Sequence, residues 1–303
     1  MMKSNLSQVL QKFITEENQC VNTTEILNEV SNQKLLPVDP YQDFTIKVVR
    51  TFDDRVRAYR FMYKIYLEKE FAEVNTSRMW YSLYDAHPNT ITFIAEKSDE
   101  VIGAITVVMD SEMGLSANEL YADEISEMKS RNHRPAEIIS LGVKSGQKDA
   151  KKILIKLFNN IYFAARGVFS VTDLIITVNP RHQKFYSRVL TFDTLGIPKE
   201  YNKVGGAVAV LLNLNLKKVE MLVEMSRTVK VTKGIIYEYF YTIKEKKDIV
   251  ESIKSSINPM SLREFDYFFN SNFFLGDPQS HHFKHLKKYF HKIFVLDIFF
   301  NYN

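Results

Sequence analysis

The sequence predicts a mixed α/β fold (α+β) in which one central sheet carries helices on both faces. Residues 91–97 and 101–110 are two apolar runs joined by a short polar link, as in an antiparallel hairpin. Residues 150–165 repeat apolar side chains at helical spacing, and they lie between two strand-like segments, residues 137–144 and 174–178. Strand and helix patterns that alternate in this way predict a mixed sheet.

The remaining elements complete the order β-α-β-β-(α)-β-α-β-α-β. Asp53 or Asp54 is a candidate cap for the first helix, and Gly167 is a candidate C-cap of the helix over residues 150–165. The other predicted elements are a strand at residues 44–50, a surface helix at 115–134, a helix after the turn Asn179-Pro180, and one or two strands at 204–216.

Three parts of the chain differ in composition and in the pattern of their apolar residues. Residues 1–40 are polar, with a short stretch at helical spacing, and Pro37 and Pro40 close them as a linker. Residues 41–216 hold the α/β pattern. Residues 217–303 alternate lysines with aromatic-rich pieces, and they predict a helical accessory segment.

Composition excludes several classes of protein. With 45% hydrophobic and 25% charged residues, the chain is ordinary for a globular protein, and a net charge of +4 is too small to indicate nucleic acid binding. A single cysteine, Cys20, excludes an internal disulfide. Because neither a signal peptide nor an apolar run long enough to span a membrane is visible, we expect a cytoplasmic protein, with peripheral membrane contact still open.

Residues 60–216 resemble the N-acyl amino acid synthases, which are GNAT-fold acyltransferases related to the acyl-homoserine lactone (autoinducer) synthases. No single motif is decisive, but the order and spacing of six segments are specific. The segments are FMYKIYLEKEF (61–71), YDAHPNTITFIAE (84–96), VIGAITVV (101–108), NELYADEISEMKSRNHRPAEIISLGV (118–143), TDLIITVNPRHQKFYSRVLTFDTLG (172–196) and GGAVAVLLNLNL (205–216).

The resemblance implies a donor cleft. In GNAT enzymes the strands that match residues 137–144 and 174–178 splay apart, the pantetheine arm of the acyl donor lies between them, and a bulge on the first strand frees backbone amides. Tyr186 matches the tyrosine that protonates the leaving thiolate, and burial as an ordinary aromatic side chain is the alternative. Leu141 and Val143 are candidate walls of an acyl tunnel, and ordinary core packing explains them equally well.

Other site residues follow from the same resemblance. Glu137 is the candidate base or water-holding residue, unless it only pairs with a neighbour such as Arg134. Asp85 would order the substrate lid or cap its turn, and Arg60 would bind substrate or be a surface arginine.

The turn after residue 178 adds three polar candidates. Arg181 is suited to the acceptor carboxylate or a donor phosphate, and Asn179 lies beside it. His182 is a candidate proton carrier. Structural hydrogen bonding is the alternative for both Arg181 and His182.

The loop at residues 145–152 departs from common GNAT acetyltransferases, because it has one glycine and a lysine cluster where they carry a glycine-rich cradle for the coenzyme A pyrophosphate. This departure favours acyl carrier protein as donor over coenzyme A. The candidate carrier-binding residues, which a solvated helix face explains equally well, are Lys148, Lys151, Lys152 and Lys156.

The predicted function is therefore transfer of a long-chain fatty acyl group from acyl carrier protein to the α-amine of an amino acid, possibly an aromatic one. The alternatives are an autoinducer-like or coenzyme A-dependent N-acyltransferase, or a non-catalytic acyl-binding module. No bound cofactor is expected. His281 and His285 have a spacing that suits a metal, but this chemistry needs none, so no metal is predicted.

Overall fold

The computed structural model describes residues 43–201, 207–228, 243–269 and 279–301. The strands are β1 (Thr45–Val48), β2 (Thr90–Lys97), β3 (Glu100–Met109), β4 (Pro135–Val143), β5 (Asp173–Val178), β6 (Asp193–Thr194), β7 (Lys199–Tyr201) and β8 (Ala207–Asn215). The helices are α1 (Phe52–Glu68), α2 (Asn118–Ser130), α3 (Ala150–Tyr162), α4 (Pro180–Val189), α5 (Leu216–Thr228), α6 (Ile243–Ser256), α7 (Leu262–Phe269) and α8 (His281–Asn301), with a 3₁₀ turn at Leu83–Ala86 and a π-helical turn at Phe163–Val168.

One mixed sheet organises these elements, in the order β1-β2-β3-β4-β5-β8-β6, and β7 pairs with β8. Its pairings are antiparallel except for β4 and β5, which run parallel. Buried apolar side chains form one cluster that includes α3 residues and another that includes α1 residues. The predicted mixed sheet with helices on both faces, including the 91–110 hairpin, is confirmed.

Helix α1 begins at Phe52, before both candidate caps. Thr51 is the N-cap: its hydroxyl accepts a hydrogen bond from the Asp54 N–H at 3.1 Å. The Asp54 carboxylate in turn accepts from the Thr51 N–H at 3.2 Å. Asp54 therefore caps the helix from the N3 position by closing a reciprocal capping box, and of the two predicted caps only Asp53 is wrong.

Gly167 lies inside the π-helical turn, so its prediction as a C-cap is also wrong. The reason for a glycine here is close approach of another helix: a Cβ at this position would lie 2.5 Å from Cγ2 of Val250 on α6. Helix α6 thus packs directly on the end of α3, a tertiary contact that leaves no trace in the local sequence.

The strand β4 separates from β5 halfway along its length. Parallel pairing runs from Pro135↔Asp173 to Ile138↔Ile176 and then stops. At the same point the register with β3 shifts, since Ile138 pairs with Val107 and Ser140 with Thr106, which leaves Ile139 as the extra residue of a β-bulge. Beyond it, β4 and β5 form the two sides of an open V.

Every regular element described after residue 215 is a helix, as predicted. The C-terminal segment enters both cores: Ile249, Val250 and Ile253 of α6 join the α3 side, and the aromatic residues of α7 and α8 join the α1 side. The Tyr81 hydroxyl donates to the Phe268 carbonyl oxygen at 2.8 Å. Residues 1–40, including Cys20, lie outside the described residues. The predicted division of the chain into 1–40, 41–216 and 217–303 therefore stays a prediction.

No helix among the described residues is long and apolar enough to cross a bilayer.

Candidate active site

The V between β4 and β5 is the centre of the candidate site. Leu141 and Val143 on β4 are half-buried, and both pack against the apolar cluster on the α3 side of the sheet. On β5, the hydroxyl of Thr177 lies one residue past the last β4 pair; it is buried and has no hydrogen-bond partner among the described residues. The V therefore offers apolar walls and one polar side chain available to a ligand.

Tyr66 brings a hydroxyl to the bulge from helix α1. Burial raises the pKa of Tyr66, while hydrogen bonding to the Leu141 backbone and the Ser140 side chain opposes the rise. The Tyr66 ring packs edge-on against Trp80, with 5.0 Å between ring centroids. Its position at the backbone of residues 140–141 makes Tyr66 a candidate that sequence reasoning missed.

Tyr186 lies close to Tyr66, from the other side of the V. Its ring packs edge-on against Phe192 with 5.8 Å between centroids. Burial, and then the nearby Tyr66, raise the pKa of Tyr186 above its ordinary value. Tyr186 therefore keeps its proton at neutral pH and can donate a hydrogen bond to a departing anion, although the raised pKa makes it a weaker acid.

Glu137 is 2% exposed and lies on β4 just before the V opens. One carboxylate oxygen accepts from the Ser116 hydroxyl at 3.0 Å, and the other accepts from the Ala117 N–H at 2.9 Å. Ala117 is the N-cap residue of α2. The carboxylate is thus fixed in place by the start of a helix, and Arg134 is exposed.

Two tyrosines surround this carboxylate. Burial, and then the charges of Glu137 and Glu119, raise the pKa of Tyr84 to about 12. Burial and the same two carboxylates raise the pKa of Tyr201, while a hydrogen bond with Ser116 opposes the rise. Glu137, Ser116, Tyr84 and Tyr201 therefore form one polar cluster beside the bulge. Tyr84 precedes Asp85 in a segment quoted for the resemblance, whereas no sequence signal indicates Ser116 or Tyr201.

Asp85 caps the 3₁₀ turn. One of its carboxylate oxygens accepts from the Ser82 N–H at 2.8 Å and from the Ser82 hydroxyl at 3.0 Å. Burial raises the pKa of Asp85 to about 6, although these hydrogen bonds and then Arg55 oppose the rise. The turn-capping alternative describes what Asp85 contacts, and a role toward substrate stays a prediction.

The raised pKa of Asp85 makes stability depend on pH in a defined direction. The folded carboxyl binds a proton more readily than the unfolded one, so this group adds stability as pH falls from about 6 toward about 4. We expect Asp85→Asn, which keeps an acceptor for Ser82, to raise the free energy of unfolding near pH 7 by up to about 3 kcal/mol. Urea unfolding of both proteins at several pH values tests this. A difference that does not shrink between about pH 6 and pH 4 would contradict it.

The turn after β5 uses its polar side chains locally. The Asn179 side-chain oxygen accepts from the Arg181 N–H at 3.1 Å and caps α4. The Arg181 guanidinium lies 5.3 Å from the ring centre of Phe71, and its Nε donates to Nε2 of His182 at 3.2 Å. Partial burial, and then the charges of Arg181 and Lys69, lower the pKa of His182. Arg181 and Phe71 thus meet at the open end of the V.

The lysine line on α3 is only partly exposed. Lys148 and Lys151 are exposed and Lys152 is half-buried, but Lys156 is 8% exposed and makes no part of a solvated face. The prediction that Lys156 binds a carrier protein is wrong, because its side chain is not at the surface. Ile155 and Asn159, which also lie away from the predicted apolar face, are buried too. From Ile153 onward the helix is covered on more than one side.

Arg60 is exposed on α1, whereas Tyr59, Met62 and Tyr63 of the same helix are buried. This placement matches the surface alternative. In the described part of the chain, no three His, Cys, Asp or Glu side chains are grouped as a metal site would require.

Comparison with known proteins places the chain in context. A family model for N-acyl amino acid synthase FeeM matches residues 57–215. The structure of FeeM, an N-acyl amino acid synthase from uncultured soil microbes, is 20% identical, is covered over 96% of its own length by 61% of this chain, and superposes with a TM-score of 0.53. No curated protein matches the chain.

Two other solved structures are less similar to this chain. TofI, in a ternary complex with an inhibitor and MTA, is 11% identical, with 58% of this chain and 92% of that chain covered and a TM-score of 0.45. An N-acetyltransferase from Staphylococcus aureus Mu50 is 18% identical, with 57% and 98% covered and a TM-score of 0.41.

Proposed function

The chain belongs to the FeeM family of N-acyl amino acid synthases and is an N-acyltransferase, and from that premise we propose its substrates. The enzyme moves a long-chain fatty acyl group from an acyl carrier protein thioester to the α-amine of an amino acid, in the cytoplasm. The proposal depends on the geometry of the site. The strand β4 separates from β5 at the bulge, and the buried carboxylate of Glu137, which the start of α2 holds in place, lies on β4 just before that bulge.

The chemistry assigns a role to each side of the bulge. Glu137, directly or through a water, takes a proton from the acceptor amine. The amine nitrogen then attacks the thioester carbonyl carbon, and the oxyanion that forms accepts hydrogen bonds from donors at the bulge, such as the Tyr66 hydroxyl and freed backbone amides. When the C–S bond breaks, Tyr186 gives its proton to the thiolate, and the second proton that the amine nitrogen sheds as it becomes an amide restores the phenol through water. Holding donor and acceptor together supplies much of the rate.

Exposed positive charge near the V supports the carrier-protein donor. Lys148 and Lys151 are exposed on the loop and helix that follow β4, at the end where the V opens. An acidic carrier protein would be steered to these lysines. The single phosphate of its phosphopantetheine arm would be bound by Arg181, or by Lys69, at the open end of the V.

The polar cluster around Glu137 supports an amino acid acceptor. Hydrogen bonds to an amino acid placed next to Glu137 are available from the phenols of Tyr84 and Tyr201 and from the Thr177 hydroxyl, which has no partner within the described parts of the chain. The aromatic rings around them also favour an aromatic acceptor side chain.

The first test is the product. Purified enzyme is given acyl carrier protein loaded with a long-chain acyl group, and each of the common amino acids in turn, and mass spectrometry follows the products. We expect an N-acyl amino acid, with an aromatic acceptor preferred. If no acceptor gives a product with this donor while acyl-coenzyme A does, the donor assignment is wrong. If neither donor gives product, the acyl-binding module becomes the better description.

The second test separates the two donors. We expect Lys148→Glu with Lys151→Glu to lower kcat/KM for the carrier-protein donor by about tenfold or more, and far more than for acyl-coenzyme A. Lys246→Glu with Lys247→Glu, two exposed lysines on α6, is the charge-matched control. An equal loss with both donors would remove the carrier-protein role from this loop.

A further inference from the structure

Helix α8 has one apolar and one strongly basic face. Phe283, Leu286 and Phe290 are buried, and the Phe290 ring stacks on Phe265 of α7 with 4.6 Å between centroids. The residues of its first three turns that point away from this contact are exposed: His281, Lys284, Lys287, Lys288, His291 and Lys292.

This basic face lacks compensating charge. Residues 281–292 contain four lysines and four histidines but no aspartate or glutamate. None of the four lysines forms an ion pair with a described residue, whereas Lys254 on α6 pairs with Glu251 and Lys129 on α2 pairs with Asp110. On a surface helix with both positive and negative side chains the charges offset one another. A face that carries only positive charge over roughly 18 Å of helix instead attracts an anionic surface.

The position of α8 argues against donor binding as its purpose. The cleft opens at the end of β4, where the exposed lysines of the 145–152 loop already lie. Helix α8 instead packs beside the 3₁₀ turn, where His282 lies 5.8 Å from Tyr84 between ring centroids. The family match ends at residue 215, so α8 also lies outside the part of the chain that it covers.

The chain after Lys292 adds a second observation. The same helix continues to Asn301 through the sequence IFVLDIFFN, in which Asp297 is the only charged residue. Lysines together with Phe and Leu side chains within one helix are typical of helices that lie on membrane surfaces. We propose that the basic face of α8, defined by Lys284, Lys287, Lys288 and Lys292, docks the enzyme on a lipid bilayer that carries anionic headgroups.

Vesicle flotation tests the proposal without any assay of activity. The full chain is mixed with vesicles of phosphatidylcholine alone, or of phosphatidylcholine with phosphatidylglycerol, and the floated fraction gives the apparent affinity. We expect binding to the anionic vesicles only, and weaker binding as salt is added. Each lysine near an anionic surface raises the affinity for the membrane by roughly a factor of five. Reversing Lys284, Lys287 and Lys288 to glutamate should therefore weaken binding about 100-fold or more.

Two further proteins make the result decisive. The control reverses Lys64, Lys246 and Lys247, which are exposed on other helices and change net charge equally, and it should bind as the wild type does to within a few-fold. Substitution of the three α8 lysines by glutamine covers the case in which reversal harms folding, and should still weaken binding. The proposal is overturned if the wild type ignores anionic vesicles, or if the control loses as much binding as the α8 variant. It is also overturned if only carrier-protein kinetics respond to the α8 variant, because the face would then dock a protein.

Discussion

Replacing Glu137 with glutamine is expected to lower kcat for acyl transfer by roughly 10²- to 10⁴-fold, the range that general-base catalysis contributes. The exchange removes the charge and little else. A glutamine carbonyl can still accept from the Ala117 N–H, and its amide can donate to the Ser116 hydroxyl, which accepts as well as donates. Steady-state kinetics with saturating donor and acceptor measure the effect, and thermal unfolding should show a similar Tm.

Ser116→Ala is the matched control for this prediction. It removes one hydrogen bond to the carboxylate but leaves the charge and the Ala117 bond in place, so we expect a loss smaller than about tenfold. If Glu137→Gln keeps a rate within that same range, Glu137 serves only to cap helix α2, and the base must be sought elsewhere in the cluster.

Glu264→Gln is expected to destabilise the whole protein by about 3 kcal/mol or more, because it leaves a buried cation without its partner. Arg55 on α1 and Glu264 on α7 lie 3.3 Å apart between Nε and Oε1, and their side chains are only 8% and 14% exposed. Glutamine can still accept from the N–H and hydroxyl of Ser261, which now bond to the Glu264 carboxylate, so the start of α7 keeps its cap.

Urea denaturation with a constant m value gives the measurement. The double change Arg55→Met with Glu264→Gln removes the unpaired charge and should recover much of the lost stability, since well-packed apolar replacements of buried pairs are often neutral. Two separate unfolding transitions in the wild type would show instead that residues 217–303 fold apart from the sheet. A single-variant cost below about 1 kcal/mol would show that the pair is no more than a surface contact.

The architecture was predictable because its signals are local. Alternating apolar runs, the Asn179-Pro180 turn and the helical spacing of residues 150–165 each mark an element within a dozen residues of sequence. Packing between distant segments was not predictable in this way. Lys156 shares its helical line with exposed lysines and is nevertheless buried, and Gly167 is a glycine because Val250, far along the chain, touches it.

The same difference between local sequence signals and contacts of distant segments applies to the candidate site. Glu137 and Tyr186 were proposed through resemblance, and the structure places one at the start of the V and the other beside Tyr66. Tyr201 belongs to a three-residue strand that pairs only with β8, and it meets Glu137 through the fold alone. A residue whose role depends on such a meeting has no pattern of its own in the sequence.

The bulge at Ile139 also constrains insertions and deletions in β4. Because of that one extra residue, Leu141 and Val143 face the α3 side with Ile138, while Gly142 lies under α1. A Cβ at Gly142 would already lie 3.2 Å from Ile65 and Met62. A deletion of Ile139 itself would keep these faces, because Ser140 already pairs with Thr106 and Leu141 with Ile105. A deletion of Leu141 would instead turn the residues beyond it over and push Val143 toward Ile65 and Met62, where a glycine now lies. The bulge is therefore the place where β4 can lose a residue and keep its two faces.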